Sequence, residues 1–269
     1  MKNWLKIIST ICTVSALAGT SGIASAVTVG GVTWDTGSPL DFSGVSAVIH
    51  QEINSITGEV TGFGRVTTLN GAGNTSFCVG CELTFNFGGF IPSAAGALLP
   101  SGGTAIGYTG GFLDLFVDFT PEVDPLDLAP GGYLDHTNMT AANTGSDGGA
   151  NATWLSLAGH GGVGGISFVG TVSSVFATSN LTGAGLFDVV GGLAASNIDT
   201  NTLLDGIGGF ADLVFSSSFS IPSTLGFLSS DGTANFSGKS TAVPEPAMLG
   251  LFGLGLLGLS TLSRKRKVK

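Results

Sequence analysis

The sequence is poor in charge, and basic residues are especially scarce between its two ends. Charged residues make up 10% of the 269 residues, against roughly 25% in ordinary soluble domains. From Val27 to Val243 the only basic residues are Arg65 and Lys239, against 17 acidic residues, which leaves a net charge of −15. Because binding to phosphates requires lysine and arginine, this balance excludes a nucleic-acid-binding protein.

Histidine and the common catalytic motifs are also scarce. The chain has only His50, His136 and His160, with no G-x-S-x-G elbow and no H-E-x-x-H sequence. The glycines of 159–164 match the letters of a dinucleotide loop, but no βαβ pattern surrounds them. We therefore expect a non-enzymatic protein without a cofactor. An unrecognised hydrolase stays open, since a catalytic triad is defined by geometry and not by spacing.

Long apolar runs with a helical period are missing from the middle of the chain. Short runs rich in β-branched and aromatic residues alternate instead with Gly, Asn, Asp, Ser and Pro, which predicts an all-β domain over 27–236, a β-sandwich or jelly roll. Two segments, Ala94–Leu99 and Leu186–Ala195, are expected to form short helical turns. The expected strands lie in Glu59–Thr67, Leu83–Phe87, Phe112–Phe119, Thr153–Leu157, Ile166–Phe176, Leu213–Ser220 and Thr233–Phe236.

The N-terminus has the layout of a secretory signal. Residues 1–26 contain two lysines, then an apolar run, then small residues that end in Ala24-Ser25-Ala26. A positive start, a short apolar stretch and an A-x-A site are typical of a cleaved leader. We expect the Sec translocon to export the chain and signal peptidase to cut after Ala26.

The C-terminus combines a short motif with an apolar segment and a basic end. Residues 237–243 read as a linker, and Pro244-Glu245-Pro246 follows it. Ala247–Leu262 carries no charge, and five of the last six residues are basic. Such a segment is expected to be a transmembrane helix, since flanking basic side chains extend its span and stay on the cytoplasmic side.

Pro244, Glu245 and Pro246, the apolar helix and the basic cluster together resemble the PEP-CTERM sorting signal. The resemblance covers about 25 residues of 244–269. It implies a Gram-negative host in which a membrane-embedded exosortase cleaves near the motif and passes the protein to the cell surface or matrix. The middle domain is also similar to other PEP-CTERM surface proteins around Phe77–Phe85, Trp154–His160 and Gly185–Gly192, without any assigned chemistry.

Two cysteines remain after the leader is removed. Cys78 and Cys81 form a C-x-x-C sequence that leads into a strand-like segment rather than a helix. Outside the cytoplasm such a pair is usually oxidised, so we expect a structural disulfide that stiffens a turn. Free thiols, a metal site or a redox role are the alternatives.

An acidic stretch is the candidate cation site. Calcium binds six to eight oxygens from carboxylates and loop carbonyls, and the stretch offers several carboxylates without the order of an EF-hand. A solvated acidic surface is the simpler alternative. The candidate ligands are Asp114, Asp118, Glu122, Asp124 and Asp127.

These observations predict an exported cell-surface or matrix protein associated with exopolysaccharide. The rival function is a carbohydrate-binding module or carbohydrate-active enzyme. Binding modules present aromatic rings to sugar faces, so that function requires two exposed, coplanar rings among Trp34, Trp154, Tyr108 and Tyr133.

Overall fold

A computed structural model describes residues 26–42, 45–93, 97–98, 104–119, 153–175, 178–221 and 229–243. Within these ranges the chain forms fifteen strands, two short α-helices and one 3-10 turn. The elements are β1 (Ala26–Val29), β2 (Val32–Asp35), β3 (Val45–Ile53), β4 (Val60–Leu69), β5 (Ala72–Gly73), α1 (Asn74–Phe77), β6 (Glu82–Pro92), β7 (Ala97–Leu98), β8 (Thr104–Asp118), β9 (Leu155–Gly159), the 3-10 turn (Val163–Gly165), β10 (Ile166–Val175), β11 (Thr178–Gly191), α2 (Ala195–Ile198), β12 (Leu203–Leu204), β13 (Phe210–Ala211), β14 (Leu213–Ile221) and β15 (Ser229–Gly238).

The all-β class is confirmed, and each predicted strand overlaps an observed one. The finer expectation of a sandwich or jelly roll is not confirmed, because the main strands belong to one large sheet. The expectation of helical turns in Leu186–Ala195 is wrong. Residues 186–191 continue β11, which pairs with β14 and β9, and helix α2 starts only at Ala195. Of the segment 94–99, the structure describes only β7.

The sheet is antiparallel and closes on itself. Its strands follow the order β10-β11-β14-β15-β3-β4-β6-β8, and β8 then pairs with β10 and β9. Strand β8 contacts β10 through residues 104–109 and β9 through residues 112–115. Gly110 and Gly111 lie between these halves at φ 69° and 93°, a left-handed backbone that glycine adopts without steric cost. Strands β9 and β10 therefore lie one after the other along the same edge of β8, and together they close the ring.

The interior of the ring is filled by aromatic side chains from alternating strand positions. Phe85, Phe215 and Phe236 lie with their ring centroids 5.1–6.5 Å apart, the spacing of favourable aromatic pairs. Gly64 makes room for this cluster, because a Cβ there would lie 2.4 Å from the Phe85 ring. A buried phenylalanine contributes about 1.5–3 kcal/mol relative to an exposed one, so this cluster is a main source of the stability of the domain.

One end of the closed sheet is plugged by the N-terminal hairpin β1–β2. Trp34 of β2 packs edge-on against Trp154, with centroids 5.6 Å apart. The Trp154 indole donates a hydrogen bond of 2.9 Å to the Val29 carbonyl. The starts of β6 and β9 and the ends of β8 and β15 meet at this end, which we call the plugged end. The hairpins β3–β4 and β10–β11 lie at the opposite end, which we call the distal end.

Candidate functional site

The first residue of the candidate cation site, Asp114, lies on β8 and bonds to a neighbouring strand. Asp114 lies opposite Asn86 of β6 and Ser156 of β9. The Ser156 hydroxyl donates a short hydrogen bond to the Asp114 carboxylate. This carboxylate therefore contributes to cross-strand bonding.

The backbone positions of Asp114 and Asp118 are well separated along β8. The two positions are four residues apart in continuous register, or about 13 Å at the rise of a strand. The ligand oxygens of one calcium ion lie within about 5 Å of each other. In the ranges that the structure describes, no three His, Cys, Asp or Glu side chains are placed to hold a metal ion. Calcium stays a prediction, and three of its candidate ligands lie outside the described residues: Glu122, Asp124 and Asp127.

Cys78 and Cys81 are joined by a disulfide, as predicted. Both residues are buried, and the bridge closes the turn between α1 and β6. The Cys81 amide donates to the Cys78 carbonyl at 3.2 Å, and the Asn74 side-chain amide donates to the Cys81 carbonyl at 3.0 Å. The segment after Cys81 is a strand, so neither sulfur lies at a helix N-terminus that would activate it.

The aromatic residues proposed for sugar binding are in the core. Trp34, Trp154 and Tyr108 are 3%, 0% and 6% exposed, and Tyr133 lies outside the described residues. Three of the four rings therefore cannot stack on a sugar in this fold, which counts against a carbohydrate-binding module of that kind.

A cluster of one histidine and two carboxylates lies on the outer surface of the sheet. His160 follows β9, and its Nδ1 lies 2.8 Å from both carboxylate oxygens of Asp188 on β11. Its Nε2 lies 3.2 Å from Oδ2 of Asp205, in the turn between β12 and β13. The Asp205 carboxylate also accepts hydrogen bonds of 2.8 Å from the Ile207 and Gly209 amides. The histidine thus ties the β12–β13 hairpin to the closed sheet.

The environment of this cluster favours a charged imidazole. Partial burial lowers the pKa of His160, but hydrogen bonds to Asp188 and Asp205 and their negative charges outweigh it, so the pKa lies above the ordinary 6.5. The Ile207 amide, with smaller contributions from His160 and the Gly209 and Gly208 amides, lowers the pKa of Asp205 below 3.8 despite its burial. Since both ring nitrogens face carboxylates, the arrangement acts as an ion-pair bridge.

The plugged end also fixes the chain just before the predicted sorting segment. Ser240 is buried, and its backbone amide and hydroxyl donate to Asp41 at 2.8 and 2.6 Å. The Trp34 indole donates to the Ser240 hydroxyl at 2.9 Å. The Thr241 amide donates to the Asn197 carbonyl at 2.8 Å. Ordered structure therefore reaches into the segment expected to be a linker, whose first two residues belong to β15.

The next residue begins a match to a known family. Residues 242–267 match the family model of the PEP-CTERM protein-sorting motif. The chain carries a PEP-CTERM sorting motif. The resemblance expected from Pro244, Glu245 and Pro246 is thereby confirmed, and the motif implies export and processing by an exosortase through a membrane-anchored intermediate. No curated protein and no solved structure matches the chain.

The parts of the chain that would contact the membrane lie outside the described residues. These parts are the leader with Ala24 and the segment 244–269. Ala26, the last residue of the expected leader, starts β1 and pairs with Asp35. No helix in the described ranges is long and apolar enough to cross a membrane.

Sequence reasoning missed both the His160 bridge and the Ser240 anchor. His160 and Asp205 are 45 residues apart, and Asp41 and Ser240 are 199 apart. No local pattern marks either pair. Only the closed sheet, which brings distant strand ends together, identifies them.

Proposed function

We propose that this chain is a non-enzymatic exported protein that an exosortase delivers to the cell surface or exopolysaccharide matrix of a Gram-negative bacterium. The observation that carries the proposal is the PEP-CTERM match at residues 242–267, directly after the hydrogen-bonded residue Thr241. Cleavage near Pro244-Glu245-Pro246 leaves the described domain intact, because its last anchored residues precede the motif. The leader pattern of residues 1–26 supports export by the Sec translocon and signal peptidase.

The charge of the domain supports a place outside the cell and a role in a hydrated matrix. The segment 27–243 has 17 acidic residues and two basic ones, which favours solubility and cation attraction. Divalent cations that bridge these carboxylates to anionic polysaccharide are the contact that we propose. Release of the protein from the matrix by a chelator, with retention in sodium chloride of the same ionic strength, is the expected result.

The experiment replaces Pro244, Glu245 and Pro246 together by alanine in the native host. The wild-type protein is expected in the surface or matrix fraction with the mass of residues 27 to about 244, two hydrogens lighter for the disulfide. The triple variant is expected to stay in the membrane fraction with its tail attached. The double variant S260A/T261A, changed within the apolar segment, is the matched control and should be sorted like the wild type.

Either of two results would contradict the proposal. One is a wild-type surface protein that keeps its C-terminal tail, because the segment would then be a permanent anchor. The other is a triple variant processed like the wild type. The same intact-mass measurement after alkylation without reduction reports on Cys78 and Cys81, since a disulfide prevents any mass increase.

A further inference from the structure

A cavity of about 360 Å³ lies inside the distal end of the closed sheet. Its walls come from the ends of β3, β4, β6, β8, β10, β11 and β14, so it forms a partly open pocket in the mouth of the ring. Most wall residues are apolar, among them Ile53, Val60, Ile106, Val172 and Phe219. Ligand cavities commonly fall between about 300 and 1,000 Å³, and the mouth of a closed sheet is a frequent place for one.

The cavity begins where the aromatic filling of the interior ends. Phe90 and Phe168, with centroids 5.2 Å apart, form part of the packed layer next to it. Beyond Phe168 the inward positions of β10 are Gly170 and Val172, and their partners on β11 are Gly183 and Leu181. Small and aliphatic residues at these positions leave the space open. An apolar void of about 150 Å³ already binds benzene, so this volume suits a molecule of roughly two rings.

Two mostly buried polar side chains lie in the wall of the cavity. Gln51 and Tyr108 both line it and are only 8% and 6% exposed. Ser230, directly opposite Gln51 in the register of β15 and β3, is 4% exposed and its hydroxyl has no hydrogen-bond partner. Buried polar groups are almost always hydrogen-bonded. The unpartnered Ser230 hydroxyl beside Gln51, together with the polar groups of Gln51 and Tyr108 in the wall, offers hydrogen bonds to a ligand or water.

The charge of the walls restricts the ligand class. None of the described residues that line the cavity is Asp, Glu, Lys, Arg or His. An ion in such a space would lose its hydration without a compensating charge. Burial also raises the pKa of Tyr108, so its hydroxyl remains a neutral donor and acceptor.

We propose that the distal cavity binds an uncharged, mainly apolar small molecule with one hydroxyl or carbonyl group that bonds to Gln51 and Tyr108. The site lies at the end of the sheet opposite Ser240, where the chain leaves toward the sorting motif. Binding at this end does not require the sorting segment. The proposal therefore goes beyond the proposed function and can fail or succeed independently of it.

The first test uses the neutral fluorescent probe N-phenyl-1-naphthylamine with the full chain in lipid nanodiscs, after subtraction of empty nanodiscs. Saturable binding of one probe per chain is expected for the wild type. Val172→Phe fills the cavity and should weaken binding at least roughly tenfold, without lowering the melting temperature. Val190→Phe, the same change at an exposed valine of β11, should bind like the wild type. Equal binding by the two variants, or no saturable binding by the wild type, would overturn the proposal.

The second test uses a substitution that leaves the cavity volume unchanged and removes the polar group of Gln51. Gln51→Leu keeps the size of the side chain and removes its amide. It should weaken 1-naphthol roughly fivefold, the contribution of one hydrogen bond, and leave naphthalene unchanged, as measured by displacement of the probe. Loss of 1-naphthol binding without loss of naphthalene binding supports the site even if Val172→Phe fails to fold. Unchanged affinity for both compounds, or equal loss of both, contradicts the polar role of Gln51.

Discussion

Asp41 accepts two hydrogen bonds from Ser240, 2.8 Å from its amide and 2.6 Å from its hydroxyl. The two residues are 199 positions apart, and both are buried at the plugged end. Trp34, which also contacts Ser240, belongs to the N-terminal hairpin. The first and last segments of the domain are thus joined where the PEP-CTERM match begins, so folding and the position of the sorting motif are linked.

Ser240→Ala should destabilise the domain by about 1–3 kcal/mol, because it leaves the Trp34 indole without its acceptor and removes one donor from the buried Asp41. Urea unfolding followed by tryptophan fluorescence measures the change. Ser218→Ala, at an exposed position of β14, is the control and should shift the midpoint little. A midpoint for Ser240→Ala equal to that of the control would show that the anchor is not needed for stability.

The His160 bridge should make the stability of the domain depend on pH. Because the pKa of folded His160 lies above 6.5, its stabilising charge is fully present below pH 6.5 and is lost as the pH rises through the folded pKa. The pKa of Asp205 is lowered from 3.8, so its contribution is present above that value and is lost as the pH falls through the folded pKa. The bridge is therefore strongest between these limits.

The measurement compares melting temperatures of the wild type and His160→Gln from pH 5 to pH 9. Glutamine is neutral throughout, so the wild type should melt higher at pH 5 and the difference should shrink at alkaline pH. Asp188→Asn should lower the pKa of His160 in an NMR titration, because one of its two carboxylate partners is lost. A melting difference that stays constant over the whole range would contradict an ionic bridge.

Much of the fold class and the sorting motif could be predicted because their signals are local. Alternating runs such as Leu83–Phe87 indicate strands by themselves, and the spacing of Cys78 and Cys81 suits a short bridge. The motif at 244–246 is likewise contiguous, and its apolar and basic neighbours support it. Each of these interpretations depends on residues within one segment.

Ring closure and the sites could not be predicted because they depend on distant pairs. Strand β8 changes partner from β10 to β9 at Gly110 and Gly111, and no local pattern shows which strands will meet there. Residues 186–191 have no strict alternation of polar and apolar types, yet pairing with β14 up to Phe187 and with β9 from Phe187 onward makes them a strand. The cavity likewise depends on residues from seven strands. Contacts between residues far apart in the sequence therefore determine the ring closure, the strand at 186–191 and the cavity.

We expect the ion pair between Arg65 and Glu82 to contribute strongly to the stability of the folded domain, although the domain as a whole is strongly acidic. The Arg65 Nη1 lies 3.3 Å from the Glu82 carboxylate, whose side chain is fully buried. Arg65→Met should cost about 3–5 kcal/mol, because it removes the cation that faces the buried Glu82 carboxylate. Lys239→Met, which removes the other basic residue of 27–243 at an exposed position, should cost little in the same urea experiment. Similar losses for both variants would point to net charge rather than to the buried pair.

We expect the stability of the domain to require glycine at position 64, because the Phe85 phenyl ring leaves no room there for a side chain. The conformational freedom of the glycine backbone is not the reason. A Cβ at this position would lie 2.4 Å from Phe85 and 2.4 Å from the Val48 carbonyl, whereas nothing lies within 4 Å of the same atom at Gly73. Gly64→Ala should therefore cost about 1–3 kcal/mol through overpacking, and Gly73→Ala should be nearly neutral. If the Phe85 ring causes the loss, Phe85→Leu should cost less in the Gly64→Ala background than in the wild type. A double-mutant cycle by urea unfolding measures this coupling, and strictly additive losses would place the strain at the Val48 carbonyl instead.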